Sequence, residues 1–413
     1  MKKLILIFLS ISLFISASEA QIATYYVAPI STNPGYAAHQ DSSYVAYDST
    51  VASNNRLLFF IGGTGSKPLD FTDFINLAAT LGYHAIDVAY PDTPEVATVC
   101  KNSPDSLCYA LYRQQKCFGT PVSTANVDTL NSIVMRAYNL VAYLDSVYPT
   151  QGWGQYISGG QLVWSRVAIS GHSQGSGHAM YIAKQMNCER VAMFSGVDDY
   201  SLYFNQPAQW LGLPGATPAQ RLYGFNSISN EGVPFDTLLR MQNILGIIAY
   251  GDSVDVDSVL PPYRYSHSLC SDALPDHPTG SSYYHNCTVA NFNTPLTASG
   301  TPLYTPVWTY MLTDTGAADT SSQVNGINTI QENQINVYPN PATNYLNILC
   351  TAGSSAVTDL QLVNAMGQVV LQKEYTLYAG PNMLSLPVLP DGLFVLRMNS
   401  GNEVLQRKII VAH

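Results

Sequence analysis

Residues Gly171-His172-Ser173-Gln174-Gly175 close an apolar run and form a Gly-x-Ser-x-Gly pattern. A serine at the apex of a sharp strand-to-helix turn projects its hydroxyl into a cleft, and the N–H of the next residue can face an oxyanion developing on an attacked carbonyl. Glycine on both sides fits, because so tight a turn leaves no room for side chains. The flanks agree: Val167-Ala168-Ile169-Ser170 reads as a short buried strand, and Ser176 to Met186 as the helix after the turn. Ser173 is therefore the candidate nucleophile. It needs a base and an orienting acid, and the residues downstream offer His267, His277 and His285 as imidazoles and Asp198, Asp199, Glu231, Asp252 and Asp255 as carboxylates. His172 and His178 lie inside the turn and on its helix and read as packing groups, since a base must approach the hydroxyl from across the cleft.

The elements that must position these groups alternate between strand-like and helical runs from Tyr25 to about Leu312. Arg56 to Ile61 reads as a strand leading into Gly62-Gly63-Thr64-Gly65-Ser66, Phe71 to Leu81 as a helix, and Tyr83 to Tyr90 as the next strand. Residues 127–148 carry Leu130, Ile133, Ala137, Val141 and Leu144 on one helical face. Strands follow at Arg190 to Ser195 and Leu222 to Ile228, with the last expected within residues 244–256. Such alternation predicts an α/β domain with a largely parallel sheet. Residues 314–334 lose the periodicity and fill with Thr, Ser, Asn, Gln and Gly, as in a linker. Short alternating runs beyond it, among them Leu346 to Leu349, Leu360 to Asn364, Leu393 to Arg397 and Lys408 to Val411, predict a small all-β sandwich.

The chain opens with two lysines, a short apolar core and small residues at Ser18 and Ala20, the pattern of a secretory signal peptide with the mature chain starting at Gln21. No later apolar run is long enough to span a membrane. The expected organisation is thus a signal peptide over 1–20, an α/β domain over 21–313, a linker over 314–334 and a β-sandwich over 335–413. Only 11% of residues are charged and the net charge is −10, so no basic cluster exists to engage nucleic-acid phosphates. An exported chain exposes its seven cysteines to oxidation. Cys100 with Cys108, and Cys270 with Cys287, are close enough to staple loops, though spacing alone does not fix pairing. The His and Cys residues lack the tight paired spacing of a metal site, and no cofactor is implied.

The elbow and the alternating elements resemble the α/β-hydrolase superfamily over about residues 50–312, with a branch of it suggested by Trp164-Ser165-Arg166 before the strand. The resemblance implies that the nucleophile follows the fifth strand, with an acid and then a histidine later in the chain. It also implies two oxyanion donors: the Gln174 N–H, and an N–H of the loop after Ile61, where Thr64 is the first choice and Gly65 the second. A phosphate-binding reading of that loop fails on the spacing of Lys67. His285, in a His-x-x-Thr-Val segment, is the base the resemblance favours, with His267 and His277 behind it. The stretch from Asn226 to Pro234 is similar to the family's Gly-x-x-Asp-x-x-Val-Pro, but Asn230 stands where that pattern has its aspartate. The adjacent Glu231 is the preferred acid, with Asp198 or Asp199, and then Asp252 or Asp255, as alternatives.

The segment beyond the linker resembles the sorting domain of the type IX secretion system of Bacteroidetes, on Val337 to Ile348, Asn364 to Val370, Pro390 to Leu396 and Lys408 to Val411. That implies export across the outer membrane, to the surface or the medium, with the secretion machinery as partner. The combined expectation is a secreted serine hydrolase acting on a small-molecule or polymeric ester through Ser173, His285 and Glu231. The rival readings are a serine peptidase of the same fold and a non-catalytic surface-binding protein that keeps an elbow-like turn.

Overall fold

The computed structural model describes residues 22–313 except 37–40, 120–124 and 276, and residues 335–412 except 339, 344, 351–355, 365, 378–379 and 401–402. The signal-peptide and linker expectations, residues 1–20 and 314–334, lie outside the described residues.

Among the described residues nine strands build the large sheet: β1 (Ile22–Val27), β2 (Ser43–Asp48), β3 (Leu57–Ile61), β4 (His84–Asp87), β5 (Val167–His172), β6 (Arg190–Phe194), β7 (Leu222–Ser227), β8 (Val254–Asp255) and β9 (Ser268–Ser271). Their order is β1-β2-β4-β3-β5-β6-β7-β9-β8. β2 runs against both its neighbours, and every pairing from β4 across to β8 is parallel. The central strands are apolar because both faces are covered: Leu57, Leu58, Phe59, Phe60 and Ile61 are all fully buried. Period two sends Leu57, Phe59 and Ile61 into one core and Leu58 and Phe60 into the other.

Helices α2 (Cys108–Phe118), α3 (Ile133–Val147), α4 (Gln174–Gln185) and α5 (Phe235–Ile244) contribute to the first core, and α1 (Thr72–Thr80) and α6 (Thr305–Thr313) to the second. In α3, Ile133, Ala137, Leu140, Val141 and Leu144 form the buried stripe, and the Ser132 hydroxyl caps the helix by accepting the Met135 N–H at 3.3 Å. The helix starts at Ile133, six residues after Val127, where the expected stretch begins, because Asp128 and Thr129 are occupied in turns with Asn131 and Gly119. The whole is the α/β-hydrolase fold that the resemblance implies, with Ser173 directly after the fifth strand. Parallel strands also bring the C-terminal ends of β3, β5, β6, β7 and β9 to one edge of the sheet, where loops can converge on a ligand.

The last strand departs from the expectation. Residues 244–256 supply a helix end and the two-residue β8, and the sheet is extended instead by Ser268-Leu269-Cys270-Ser271, too short and polar to announce itself. The cysteines depart in part. Cys100 and Cys108 are bonded, but Cys270 and Cys287 are free and buried. Cys287 neighbours Tyr304, to whose hydroxyl Ser271 is bonded at 2.7 Å. Adjacent strand residues point to opposite faces, so Cys270 looks away from Cys287.

Residues 335–411 form two antiparallel sheets, β10 (Ile335–Tyr338), β11 (Tyr345–Cys350) and β14 (Gly380–Ser385) in one, β12 (Ala356–Asn364), β13 (Val369–Leu377), β15 (Gly392–Ser400) and β16 (Glu403–Val411) in the other. Leu346, Ile348 and Leu384 from the first sheet share a core with Leu360, Leu362, Leu396 and Ile409 from the second. The Asn340 side chain donates to the Lys408 carbonyl at 2.9 Å and accepts the Ile410 N–H at 2.8 Å, tying the start of this unit to its last strand.

Among the described residues, each core draws its side chains either from residues 22–313 or from residues 335–412. A chain lacking residues 335–413 is therefore expected to unfold in a single cooperative transition by circular dichroism; a loss of native signal on truncation would show that the α/β unit depends on the β unit.

Candidate active site

Ser173 sits at φ +55°, ψ −125° between β5 and α4, a backbone region a non-glycine residue rarely occupies, at a cost of about 1–3 kcal/mol. Close packing explains why the turn persists. A Cβ on Gly171 would lie 2.4 Å from the Gly175 carbonyl, and a Cβ on Gly175 would lie 2.0 Å from the Ile61 carbonyl oxygen. Both glycines are required for α4 to start against the end of β3. The Ser173 N–H donates to the Phe194 carbonyl at 2.9 Å, and the Ser176 hydroxyl accepts the Phe194 N–H at 3.0 Å while lying 2.6 Å from the Gly171 carbonyl. The elbow is thus pinned to the end of β6.

The Gly-rich loop passes directly over this turn. A Cβ on Gly63 would stand 3.0 Å from the Ser173 Cβ and 3.3 Å from His172 Nδ1, so main chain alone can come this close. Tyr90 holds the Gly62 carbonyl at 2.7 Å, the Ser66 hydroxyl holds the Gly63 carbonyl at 2.7 Å, and the Gly65 N–H donates to the Asp92 carboxylate. That last bond engages the second-choice donor. Thr64, between them, is exposed. Gln174 opens α4, so its N–H has no partner in the helix ladder. The Gln174 side chain is spent on the loop opposite, accepting the Val96 N–H and donating to the Asp92 carbonyl, each at 2.7 Å.

His285 is carried by a short helix, Tyr283–Asn286, after β9, and the segment from Tyr284 to Thr288 is held from three directions. His172 Nε2 donates to the His285 carbonyl at 3.0 Å, with the two rings 5.1 Å apart. The Glu231 carboxylate accepts the Tyr284 and His285 N–H groups at 2.9 and 2.8 Å. The Thr288 hydroxyl meets that of Ser195, just after β6, at 2.9 Å, and Trp308 Nε1 donates to the Thr288 carbonyl at 2.9 Å. Burial pushes the His285 pKa down to about 4, against the opposing charge of Glu231. His172, inside the elbow, is pushed down to about 3 by burial and then by His285, and stays neutral.

The carboxylates distribute differently from the sequence expectation. Glu231 serves the main chain of the His285 helix, while the side chain beside the imidazole is Asn230: its Nδ2 and Oδ1 lie 3.1 and 3.2 Å from His285 Nδ1. Asp199 is fully buried in a two-pronged ion pair with Arg113, at 3.1 and 2.5 Å, and also accepts from Trp210 Nε1 at 2.8 Å. Arg113 Nη1 in turn donates to the Gln174 carbonyl at 2.7 Å, and a Cβ on Gly177 would collide with the guanidinium at 2.1 Å. The pair therefore braces the elbow from below. Asp198 is part-buried beside it, its pKa raised to about 6 by burial and then by Asp199. Asp252 is exposed, and Asp255 accepts from Asp257 and Ser258 in its own turn.

Of the other histidines, His267 precedes β9 and so lies at the opposite edge of the sheet from Ser173. It is stacked between Tyr223 and Tyr250, with centroids 4.1 and 5.0 Å away, and burial pushes it down to about 3. His277 is exposed, and His178 is buried on α4 with Nδ1 3.6 Å from Cys117 Sγ. Among the described residues no three His, Cys, Asp or Glu side chains gather as a metal site. Sequence reasoning missed the roles of Arg113, Ser195 and Thr288; the departure at Asn230 was visible in the sequence but not where its side chain would turn.

Comparison with known proteins gives a clear result for the C-terminal unit. Residues 336–412 match the secretion system C-terminal sorting domain. No curated protein matches the chain. Similar solved structures include dimeric latent PorU from Porphyromonas gingivalis, 18% identical with a TM-score of 0.16, the match covering 19% of this chain and 9% of that protein. A putative dienelactone hydrolase from Klebsiella pneumoniae is 12% identical over 60% of this chain and 84% of its own, with a TM-score of 0.28. TT1662 from Thermus thermophilus is 14% identical over 61% and 87%, with a TM-score of 0.31. The fold of the α/β unit stands on its own strand order and directions. The sorting domain makes the chain an export substrate of type IX secretion, bound for the cell surface or beyond it. Among the described residues no helix is long and apolar enough to cross a membrane.

Removing one member of a buried ion pair leaves the other charge stranded, at a typical cost of about 3–5 kcal/mol. Asp199→Ala is therefore expected to lower the unfolding free energy by about that amount in urea titrations; a change below about 1 kcal/mol would mean that Arg113 finds other partners and the brace is dispensable.

Proposed function

We propose that this exported chain is a serine hydrolase of carboxylic esters, with Ser173 as nucleophile, His285 as base, and the N–H groups of Thr64 and Gln174 as oxyanion donors. The observation that carries the reading is the Ser173 turn itself: a strained residue kept in place by two glycines that cannot bear a Cβ, with a glycine loop passing within contact of its side chain. Strain of this kind persists where function needs the geometry and the surroundings enforce it.

In the proposed reaction the Ser173 oxygen attacks the acyl carbon as its proton passes to His285. The tetrahedral oxyanion is met by the Gln174 N–H at the start of α4 and by the Thr64 N–H, fixed donors that need no reorganisation as charge develops. Collapse expels the alcohol, protonated by His285, and leaves an acyl-serine. Water, activated by the same imidazole, then releases the acid and restores the hydroxyl. A low pKa keeps His285 neutral at physiological pH, the charge state a base requires. An ester is the favoured substrate over a peptide, because expelling an alcohol from the tetrahedral intermediate depends less on proton donation by the imidazole than expelling an amine does.

Ser173→Ala is expected to reduce hydrolysis of p-nitrophenyl acetate by several orders of magnitude while the far-ultraviolet circular dichroism and melting temperature stay close to those of the parent. Turnover retained within tenfold of the parent would refute the serine mechanism.

A further inference from the structure

The amide of Asn230 stands where a serine hydrolase of this architecture would carry a carboxylate, and its orientation is settled by the main chain around it. Its Oδ1 accepts the Gly232 N–H at 2.9 Å and the Val233 N–H at 3.1 Å, the two bonds of an Asx turn. A carbonyl oxygen has two lone pairs, and both are then engaged. The Nδ2 group faces His285 Nδ1 at 3.1 Å and can only donate. A ring nitrogen that receives a hydrogen bond carries no proton, so the proton of a neutral imidazole resides on the other nitrogen.

We propose that Asn230 is a positioning residue that holds resting His285 as the Nε2–H tautomer, leaving the chain a slow hydrolase whose base must change tautomer before it can act. This rests on the Ser173 and His285 roles proposed above. The nitrogen that must take the serine proton already bears one. To work as a base, the imidazole has to move its proton to Nδ1 and donate it to Asn230 Oδ1, 3.2 Å away, where it competes with the Gly232 and Val233 N–H groups. No atom is gained or lost: the proton leaves Nε2 and a proton arrives at Nδ1 through solvent. Exchanging a triad carboxylate for its amide typically costs about 10⁴ in turnover for this reason. Glu231 does not substitute, since both of its oxygens are bonded to main-chain N–H groups of the His285 helix.

Asn230→Asp tests the inference in the direction of gain. One aspartate oxygen can keep the Asx turn while the other accepts Nδ1–H, so the fold should be preserved. The turnover of p-nitrophenyl acetate is expected to rise by at least about 100-fold. The pH profile should change with it. The titratable groups facing His285 are the neutral His172 from the end of β5 and Glu231 from the loop after β7, and in the parent the buried imidazole is neutral above about pH 4, so the rate should show no imidazole limb between pH 5 and 8. A carboxylate at position 230 favours the imidazolium and raises that pKa toward the ordinary histidine value of roughly 6.5, so activity should now fall as pH drops through that range.

Nitrogen-15 NMR of the imidazole reads the tautomer independently of catalysis. Nε2–H in the parent and Nδ1–H in Asn230→Asp support the inference. Nδ1–H in the parent overturns it, and so does an Asn230→Asp chain whose turnover stays within threefold of a measurable parent rate. If both chains are inert toward esters while the parent shows Nε2–H, the ester-hydrolase reading fails and the tautomer assignment stands.

Discussion

Everything at the C-terminal edge of the sheet depends on how closely α4 approaches the end of β3. The carbonyls of Ile61 and Gly62 occupy the space where a side chain on Gly175 would begin, 2.0 and 2.5 Å from its Cβ position. The helix can start there only from a left-handed residue, and that residue is Ser173. The same contact brings the Gly-rich loop, which continues from β3, over the serine. The candidate nucleophile and the candidate oxyanion loop are therefore two consequences of one steric arrangement. The backbone cost of about 1–3 kcal/mol is distributed over the bonds from Ser173 and Ser176 to the end of β6 and over the buried cores on both sides of the sheet.

Charge is scarce in this chain, and the structure shows where it is concentrated. Arg113 and Asp199 carry a full ion pair into the interior directly beneath the elbow, where nearby apolar groups strengthen its attraction and make its disruption expensive. Above the elbow the opposite holds. His172 and His285 are kept neutral by burial, and an amide rather than a carboxylate faces His285. An amide gives the imidazole no charge support, which accounts for the proposed preference for good leaving groups and a modest rate.

The sheet, its direction and the sorting domain were legible because they are written locally. Period-two and helical spacing mark the elements, and the elbow announces itself through two glycines around a serine. The sorting domain was legible in the same way through turns such as that of Asn364, closed on Met366 and Gln368, although Asn340 works across the unit on Lys408 and Ile410. What escaped was set by tertiary direction. Ser268 to Ser271 is a strand because parallel neighbours pair with it, not because of its composition, and missing it placed His267 after the last strand when it precedes it. Asn230 and Glu231 are adjacent in the chain, and which of them meets the imidazole depends on an Asx turn at Gly232 and on a helix, Tyr283–Asn286, whose His285 is 54 residues from Glu231. A carboxylate is the better partner chemically, so reasoning from chemistry alone favours Glu231; the backbone puts it elsewhere.

Whether Ser173 is a reactive serine can be read directly by covalent labelling. Incubating the folded chain with a fluorophosphonate and identifying the modified peptide by mass spectrometry should find a single adduct on Ser173, slow to form but blocked by heat denaturation. Labelling elsewhere, or no adduct after prolonged exposure of a natively folded chain, would contradict it.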